Sequence, residues 1–127
     1  MKLSDANLIL RYFLADNEEQ FLIASKEIEN SELFLPLEVV AEVVYVLKKI
    51  YNIHRGKIFS LISDLFTLSN ISTTDKDILV NSLNIYNQTS LDFVDCILVA
   101  YKRKFKYEIV TFDKKLKSFL EKDNKID

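Results

Sequence analysis

Residues 32–47 read ELFLPLEVVAEVVYVL, and this stretch decides the fold. Its first four residues, 32–35, are a glutamate followed by three apolar residues and predict a buried strand. Pro36 suits the first turn of a helix, which we expect to continue to about Tyr51. A buried strand that passes directly into a helix is typical of α/β proteins.

The same alternation of strands and helices continues in both directions along the chain. Short strands separated by helices imply a mainly parallel sheet that is covered on both faces. We therefore predict a three-layer α/β/α sandwich with a short-stranded central sheet, and expect Asn17 and Thr74 to cap helices. Further strands are predicted at 2–4, 71–73 and 108–112, and further helices at 7–15, 18–30, 55–68, 75–86, 91–104 and 114–120.

The composition predicts one globular domain over residues 1–127. The chain has 49% hydrophobic and 28% charged residues, a single Gly and a single Pro, and no repeat or linker. No apolar run reaches the roughly 18 residues of a membrane span. Because an acid, Asp5, stands where a signal peptide would begin its apolar region, we expect a cytoplasmic protein with no membrane partner.

The chain has one cysteine and one histidine, and they exclude several kinds of site. Cys96 has no partner for an internal disulfide and lies in an apolar helical stretch, which predicts a small buried side chain. His54 and a distant Cys96 cannot form a zinc site, and no Ser/His/Asp or Cys/His arrangement is visible. Any catalysis must therefore rest mainly on carboxylates.

The charge is unevenly distributed, although the formal net charge is only −2. Residues 1–100 carry 8 Lys and Arg against 14 Asp and Glu, whereas residues 101–127 carry 9 against 5. Two interpretations of the basic C-terminal part stay open. It either faces nucleic-acid phosphates or forms an ordinary solvated helix face.

Asp95 is the acid whose position is hardest to explain as structural. Its helical neighbours at four residues' distance are Leu91 and Val99, and Leu98 follows at three. A carboxylate in such an apolar stripe is costly unless it is paired. Only Asp92 shares its face, and a like charge makes the site less favourable. We therefore expect a cation to compensate Asp95.

Three further acids complete the candidate site. Glu42 lies at the edge of the apolar face of its helix. Asp5 and Asp113 each follow a predicted strand, so they are expected near the carboxyl edge of the sheet, where sites form in such folds. Either of these two acids could instead be a helix N-cap. An all-carboxylate group suits a hard divalent cation, Mg²⁺ or Mn²⁺, that can act on a phosphodiester.

Four blocks of sequence resemble the PIN-domain ribonucleases, especially the VapC-type toxins of bacterial toxin–antitoxin pairs. The blocks occur in the order typical of that family and span nearly the whole chain. They are residues 5–14 (DANLILRYFL), residues 39–47 around Glu42 (VVAEVVYVL), residues 92–100 around Asp95 (DFVDCILVA), and residues 111–116 around Asp113 (TFDKKL).

The resemblance implies a PIN-like α/β/α sandwich and an endoribonuclease that uses one or two Mg²⁺ or Mn²⁺ ions. Its substrate would be structured or single-stranded RNA such as transfer RNA, and its partners a cognate antitoxin and a second copy of the chain. Asp5, Glu42, Asp95 and Asp113 match the family's acidic quartet. Asn7 and Thr111 match supporting positions.

The match departs from the family pattern at three positions. Ala6 replaces a hydroxyl residue that often follows the first Asp, and Ser4 interrupts the apolar run of the first strand. Asp92 is an extra acid that could share or compete for metal ligation. No member of the quartet is lost, so activity is still expected.

Two alternatives to a toxin stay open at this point. A PIN-type nuclease could act in RNA maturation without toxicity or an antitoxin. A catalytically silent PIN-like binding module would use the same acids as helix caps and solvated charges.

Overall fold

A three-stranded parallel sheet lies at the centre of the computed structural model, which describes residues 1–126. The strands are β1 (Lys2–Leu3), β2 (Leu33–Phe34) and β3 (Ile71–Ser72), in the spatial order β1-β2-β3. Lys2 lies opposite Leu33, and Leu33 lies opposite Ile71. The predicted α/β/α sandwich with a short parallel sheet is confirmed.

Helices make up most of the chain and cover this sheet. α1 packs on α2 and α3, α5 packs on α4 and α6, and α3 also reaches α6. The helices are α1 (Ala6–Leu14), α2 (Glu18–Asn30), α3 (Leu37–Tyr45), α4 (Arg55–Leu65), α5 (Lys76–Gln88), α6 (Phe93–Phe105) and α7 (Lys114–Ile126). None of the described helices is both long enough and apolar enough to cross a bilayer.

Helix caps explain where α2 and α5 begin. The predicted cap Asn17 accepts a hydrogen bond from the Gln20 amide at 2.9 Å. The predicted cap Thr74 is wrong by one residue, because Asp75 caps α5 and accepts from the Ile78 amide at 3.1 Å. The Thr74 hydroxyl instead accepts from the amide of Leu37 at 3.2 Å, at the start of α3.

α3 does not continue regularly to Tyr51 as the sequence predicts. Its last part, Val46–Ile50, is a π-helical turn that ends with the Tyr51 amide donating to the Val46 carbonyl at 3.2 Å. Asn52 then adopts the left-handed region with φ of 53° and redirects the chain. π turns are rare and are frequent at functional sites, so this irregularity marks the region around Lys48 and Lys49.

The predicted strand at 108–112 is wrong, since residues 106–113 have no regular secondary structure. The chain turns at Lys106, which ends α6 in the left-handed region with φ of 62°. The Thr111 hydroxyl accepts from the Asp113 amide at 3.0 Å, a local bond that competes with strand pairing. Val110 and Phe112 are consequently 94% and 99% exposed.

One apolar core joins the helices to the sheet. Leu47, Ile58, Leu79 and Val99 are fully buried in it. Cys96 belongs to the same cluster, and burial raises the pKa of its thiol to about 11. The thiol is therefore protonated near neutral pH, which agrees with the predicted structural role of Cys96 rather than with a nucleophile.

Candidate active site

Asp95 lies in the first turn of α6 and is half-buried. Burial raises the pKa of its carboxyl group, and the nearby charges of Asp113 and Asp92 raise it further. Lys115 acts in the opposite direction. Within residues 1–126 no cation lies at salt-bridge distance from Asp95, so this partly desolvated carboxylate has no direct ion-pair partner.

Asp113 is held at the N-terminus of α7 beside Asp95. Its Oδ1 accepts from the Leu116 amide at 2.8 Å, and its own amide donates to the Thr111 hydroxyl at 3.0 Å. The second bond gives Thr111 the role of a positioning residue for Asp113. Because this capping bond uses only one carboxylate oxygen, the other oxygen is available to a ligand.

Asp92 occupies the N-cap position of α6, but its side chain makes no capping hydrogen bond. The carboxylate is exposed and lies close enough to raise the pKa of Asp95. Asp92 and Asp113 therefore both act electrostatically on Asp95 and disfavour its charged form.

Asp5 stands after β1 and caps α1, where its Oδ1 accepts from the Leu8 amide at 3.0 Å. The buried Ser4 hydroxyl donates to the Asp5 carbonyl at 2.9 Å and helps to fix this turn. Asn7 is exposed in the first turn of α1. Asp5 is thus a helix N-cap, the structural role that the sequence left open. Because the cap uses only one carboxylate oxygen, the second oxygen is available to a ligand.

Glu42 is exposed on α3, and no ion pair or side-chain hydrogen bond engages it among the described residues. In the same part of the chain, no three Asp, Glu, His or Cys side chains lie close enough together to enclose a metal ion. The structure thus associates Asp92, Asp95 and Asp113, and it does not bring Asp5 and Glu42 into one preformed cage with them.

A cavity of about 550 Å³ opens beside Asp95, between α3 and the start of α6. The sequence pointed to Asp92, Asp95 and the basic segment 101–127 that contains Lys115, but not to Lys48, Lys49 or Arg55. The cavity is lined by Ala41, Val44, Tyr45, Lys48, Lys49, Arg55, Tyr86, Ser90, Asp92, Phe93, Val94, Asp95 and Lys115. We call it the basic cleft, because its cations outnumber its acids.

Arg55 fixes the floor of the basic cleft. Its guanidinium donates through Nε and Nη2 to the Tyr86 carbonyl at 3.1 and 2.9 Å, and through Nη2 to the Leu91 carbonyl at 2.6 Å. The guanidinium carbon also lies 3.6 Å from the centre of the Tyr86 ring. Arg55 therefore joins the end of α5 to the residue that precedes Asp92, and so positions the start of α6.

The acids present fit a divalent cation by chemistry, since all of them offer oxygen ligands. Mg²⁺ commonly binds through one or two carboxylates, several waters and a substrate phosphate, so it does not need a closed protein cage. The desolvated Asp95 with its two like-charged neighbours meets that requirement, because a cation would relieve the repulsion that raises its pKa.

The two roles of Asp5 can be separated by mutation. Asn is as good an N-cap as Asp, so Asp5→Asn should change the free energy of unfolding by only a few tenths of a kcal/mol, whereas Asp5→Ala should lower it by about 1 kcal/mol. If Asp5 also ligates metal, Asp5→Asn should lose RNA cleavage although it remains stable. Urea unfolding and a cleavage assay on the same preparations check this. Full cleavage by Asp5→Asn would mean that Asp5 acts only as a helix cap.

Comparison with known proteins identifies relatives of the chain. The family described as PIN domain matches residues 2–121. A VapC ribonuclease of Aquifex aeolicus (strain VF5) is 25% identical over 123 residues, which cover 92% of this chain and 90% of that protein. The predicted resemblance is thereby confirmed. No solved structure matches the chain.

Proposed function

Because this chain belongs to the PIN-domain family, we propose that it is a metal-dependent endoribonuclease and the toxin of a toxin–antitoxin pair. The similarity to a protein named VapC ribonuclease over nearly the whole length of both chains supports this function. The observation that carries the proposal is the half-buried carboxylate of Asp95, which lies beside Asp92 and Asp113 and forms no ion pair among the described residues.

We assign the catalytic and metal-binding roles to Asp5, Glu42, Asp95 and Asp113. Asp95 would hold the cation from the start of α6, and Asp113 would add an oxygen from the start of α7. Asp5 and Glu42 would complete the site from the end of β1 and from α3 when substrate and cation draw the acids together. Asn7, Thr111 and Asp92 would support these four.

The cation would be Mg²⁺ or Mn²⁺, as one or two ions. When bound, it would polarise the phosphodiester and stabilise the charge that develops during hydrolysis. The chain itself supplies the orientation of the carboxylates, through the Asp113 and Asp5 caps and through the Arg55 contacts that set the start of α6. With no histidine in this group, a carboxylate must accept any proton that the protein takes up.

We further propose that residues 1–127 act as one nuclease domain in the cytoplasm, on an RNA substrate such as transfer RNA. Its protein partners would be a second copy of the chain and a cognate antitoxin. An antitoxin could inhibit by placing a basic side chain against Asp95, where it would compensate the carboxylate in place of metal. An antitoxin that inhibits without approaching Asp5 or Asp95 would contradict that mode of inhibition.

One observation favours a second candidate, the catalytically silent binding module. Among the described residues the acids form no cage of three ligands, and both Asp5 and Asp113 have capping roles. In that case the acids would contribute to stability and solvation only, and the protein would bind its partner without hydrolysing RNA.

Metal binding to the folded protein separates the two candidates. A ligand that binds only the folded state raises apparent stability, by about 2.7 kcal/mol at 100 times its Kd. We therefore expect Mg²⁺ or Mn²⁺ to raise the thermal midpoint of the wild-type protein and to have a much smaller effect on Asp95→Asn. Differential scanning calorimetry with and without the ion measures this; equal shifts in both proteins would favour the silent module.

A further inference from the structure

The basic cleft is positive, although the chain as a whole is negative. It contains four cationic side chains, Lys48, Lys49, Arg55 and Lys115, against the two acids Asp92 and Asp95. The formal net charge of the whole chain is −2. This concentration of positive charge beside a group of carboxylates needs an explanation, because within residues 1–126 none of the four cations forms an ion pair.

Arg55 and Lys115 have structural partners in the cleft. Arg55 donates to the carbonyls of Tyr86 and Leu91, and the Lys115 ammonium donates to the Ser90 carbonyl at 2.6 Å. Lys48 and Lys49 differ from both: within residues 1–126 neither forms an ion pair or a side-chain hydrogen bond. Their ammonium groups are available to an anionic ligand.

The π-helical turn places both of these adjacent lysines in the lining of one cavity. Lys48 is half-buried and Lys49 is exposed, and both belong to the segment Val46–Ile50 that follows α3. In a regular helix, two consecutive side chains point about 100° apart. Only one of the two would therefore be expected to face a given cleft. Asp95, from the first turn of α6, lines the same cavity.

Tyr45 ends α3, and Lys48 and Lys49 follow it in the π-helical turn. Glu42 lies one turn earlier on α3 and does not line the cleft. Tyr45 lines the cleft and is 60% exposed. The cleft is thus lined by an aromatic ring and, shortly after it along the chain, by two cations.

We propose that Lys48 and Lys49 bind backbone phosphates of single-stranded RNA to one side of the bond that is cleaved, while Tyr45 stacks on an unpaired base. This inference deepens the proposed function and rests on it. Lysine ammonium groups bind phosphates as point charges, and aromatic rings accept any base that is free to stack. An acidic protein segment could use the lysines, but it would leave the exposed Tyr45 ring without a matching partner.

RNA binding as a function of salt concentration tests this proposal. A fluorescent single-stranded RNA would be titrated with Asp95→Asn protein, and with the same protein carrying Lys48→Gln and Lys49→Gln. Each phosphate contact contributes about −0.7 to the slope of log K against log salt for single strands, so loss of two should make the slope less steep by about 1.4. We expect the affinity at low salt to fall on the order of tenfold.

Two further variants control for general charge and for stacking. Lys26→Gln with Lys122→Gln removes two exposed lysines that do not line the cleft, and should leave the slope nearly unchanged. Tyr45→Leu should keep the slope and weaken binding of single-stranded RNA relative to duplex RNA. Circular dichroism on each variant confirms that the fold is retained.

The outcomes distinguish this inference from the proposed function. An unchanged slope after loss of Lys48 and Lys49 would overturn the inference, even if the wild-type protein cleaves RNA. If the slope is unchanged and a polyglutamate peptide binds only to protein that keeps Lys48 and Lys49, the cleft would be assigned to an acidic protein segment. If the wild-type protein binds RNA through these lysines but does not cleave it, the proposed nuclease function would instead be overturned.

Discussion

Asp95→Asn is expected to lower the rate of RNA cleavage in saturating Mg²⁺ on the order of 100-fold or more. The substitution keeps the size and polarity of the side chain but removes the charge that would hold the cation, and loss of a group that acts in the transition state has effects of this size. The apolar surroundings of Asp95 give no structural reason for keeping that charge. Initial rates on a defined RNA, measured for purified wild-type and variant protein, test this.

The matched control is Asp64→Asn on α4, an exposed acid that does not line the basic cleft. It should cleave at the wild-type rate. If Asp95→Asn cleaved as fast as Asp64→Asn, the role assigned to Asp95 would be wrong.

The pH dependence follows from the direction of the Asp95 pKa shift. Burial and the charges of Asp113 and Asp92 raise its pKa, so its carboxylate takes up a proton at a higher pH than an ordinary Asp. Because cation binding requires the charged form, the acid side of the rate profile should lie at a higher pH than an ordinary aspartate pKa would give. Added metal should shift that limb to lower pH, since it competes with the proton.

Arg55→Met is expected to lower the free energy of unfolding by about 2–4 kcal/mol. The substitution removes three hydrogen bonds from a charged donor and leaves the Tyr86 and Leu91 carbonyls without that partner. It also removes the cation–π contact with Tyr86. Urea denaturation measures the effect, and cleavage should fall as well because Leu91 leads into Asp92 and α6.

Lys57→Met provides the control, because it changes an exposed cation two residues further along the same helix. It should alter the free energy of unfolding by no more than about 0.5 kcal/mol. Arg55→Lys should recover only part of the loss, because a lysine lacks the planar fork that reaches both carbonyls. Equal stability of Arg55→Met and Lys57→Met would show that Arg55 does not join α5 to α6.

The elements that could be predicted from the sequence are those with a local physical cause. Residues 32–35 and the proline after them correctly indicated β2 and the start of α3. Asn17 correctly predicted the start of α2, because an N-cap acts within one turn. The strand at 108–112 failed for the opposite reason: whether an apolar segment pairs depends on a distant strand edge, and here the local Thr111 bond competes.

The candidate site shows the same division. Sequence pattern placed Asp95 in apolar surroundings, and the structure finds it half-buried with a raised pKa. Three of the four cations of the basic cleft were missed, because Lys48 and Lys49 of the π-helical turn and Arg55 of α4 meet Lys115 of α7 only in the folded chain. No local pattern indicated that Arg55 would bind two distant carbonyls.

The most direct test of the central claim is to sequence RNA fragment ends after the protein is induced in cells, with wild type compared against Asp95→Asn. We predict new ends at defined positions in wild-type cells, and their loss in Asp95→Asn cells that contain the same amount of folded protein. Identical fragment ends in both strains, or no new ends in either, would contradict the claim that this carboxylate site cleaves RNA.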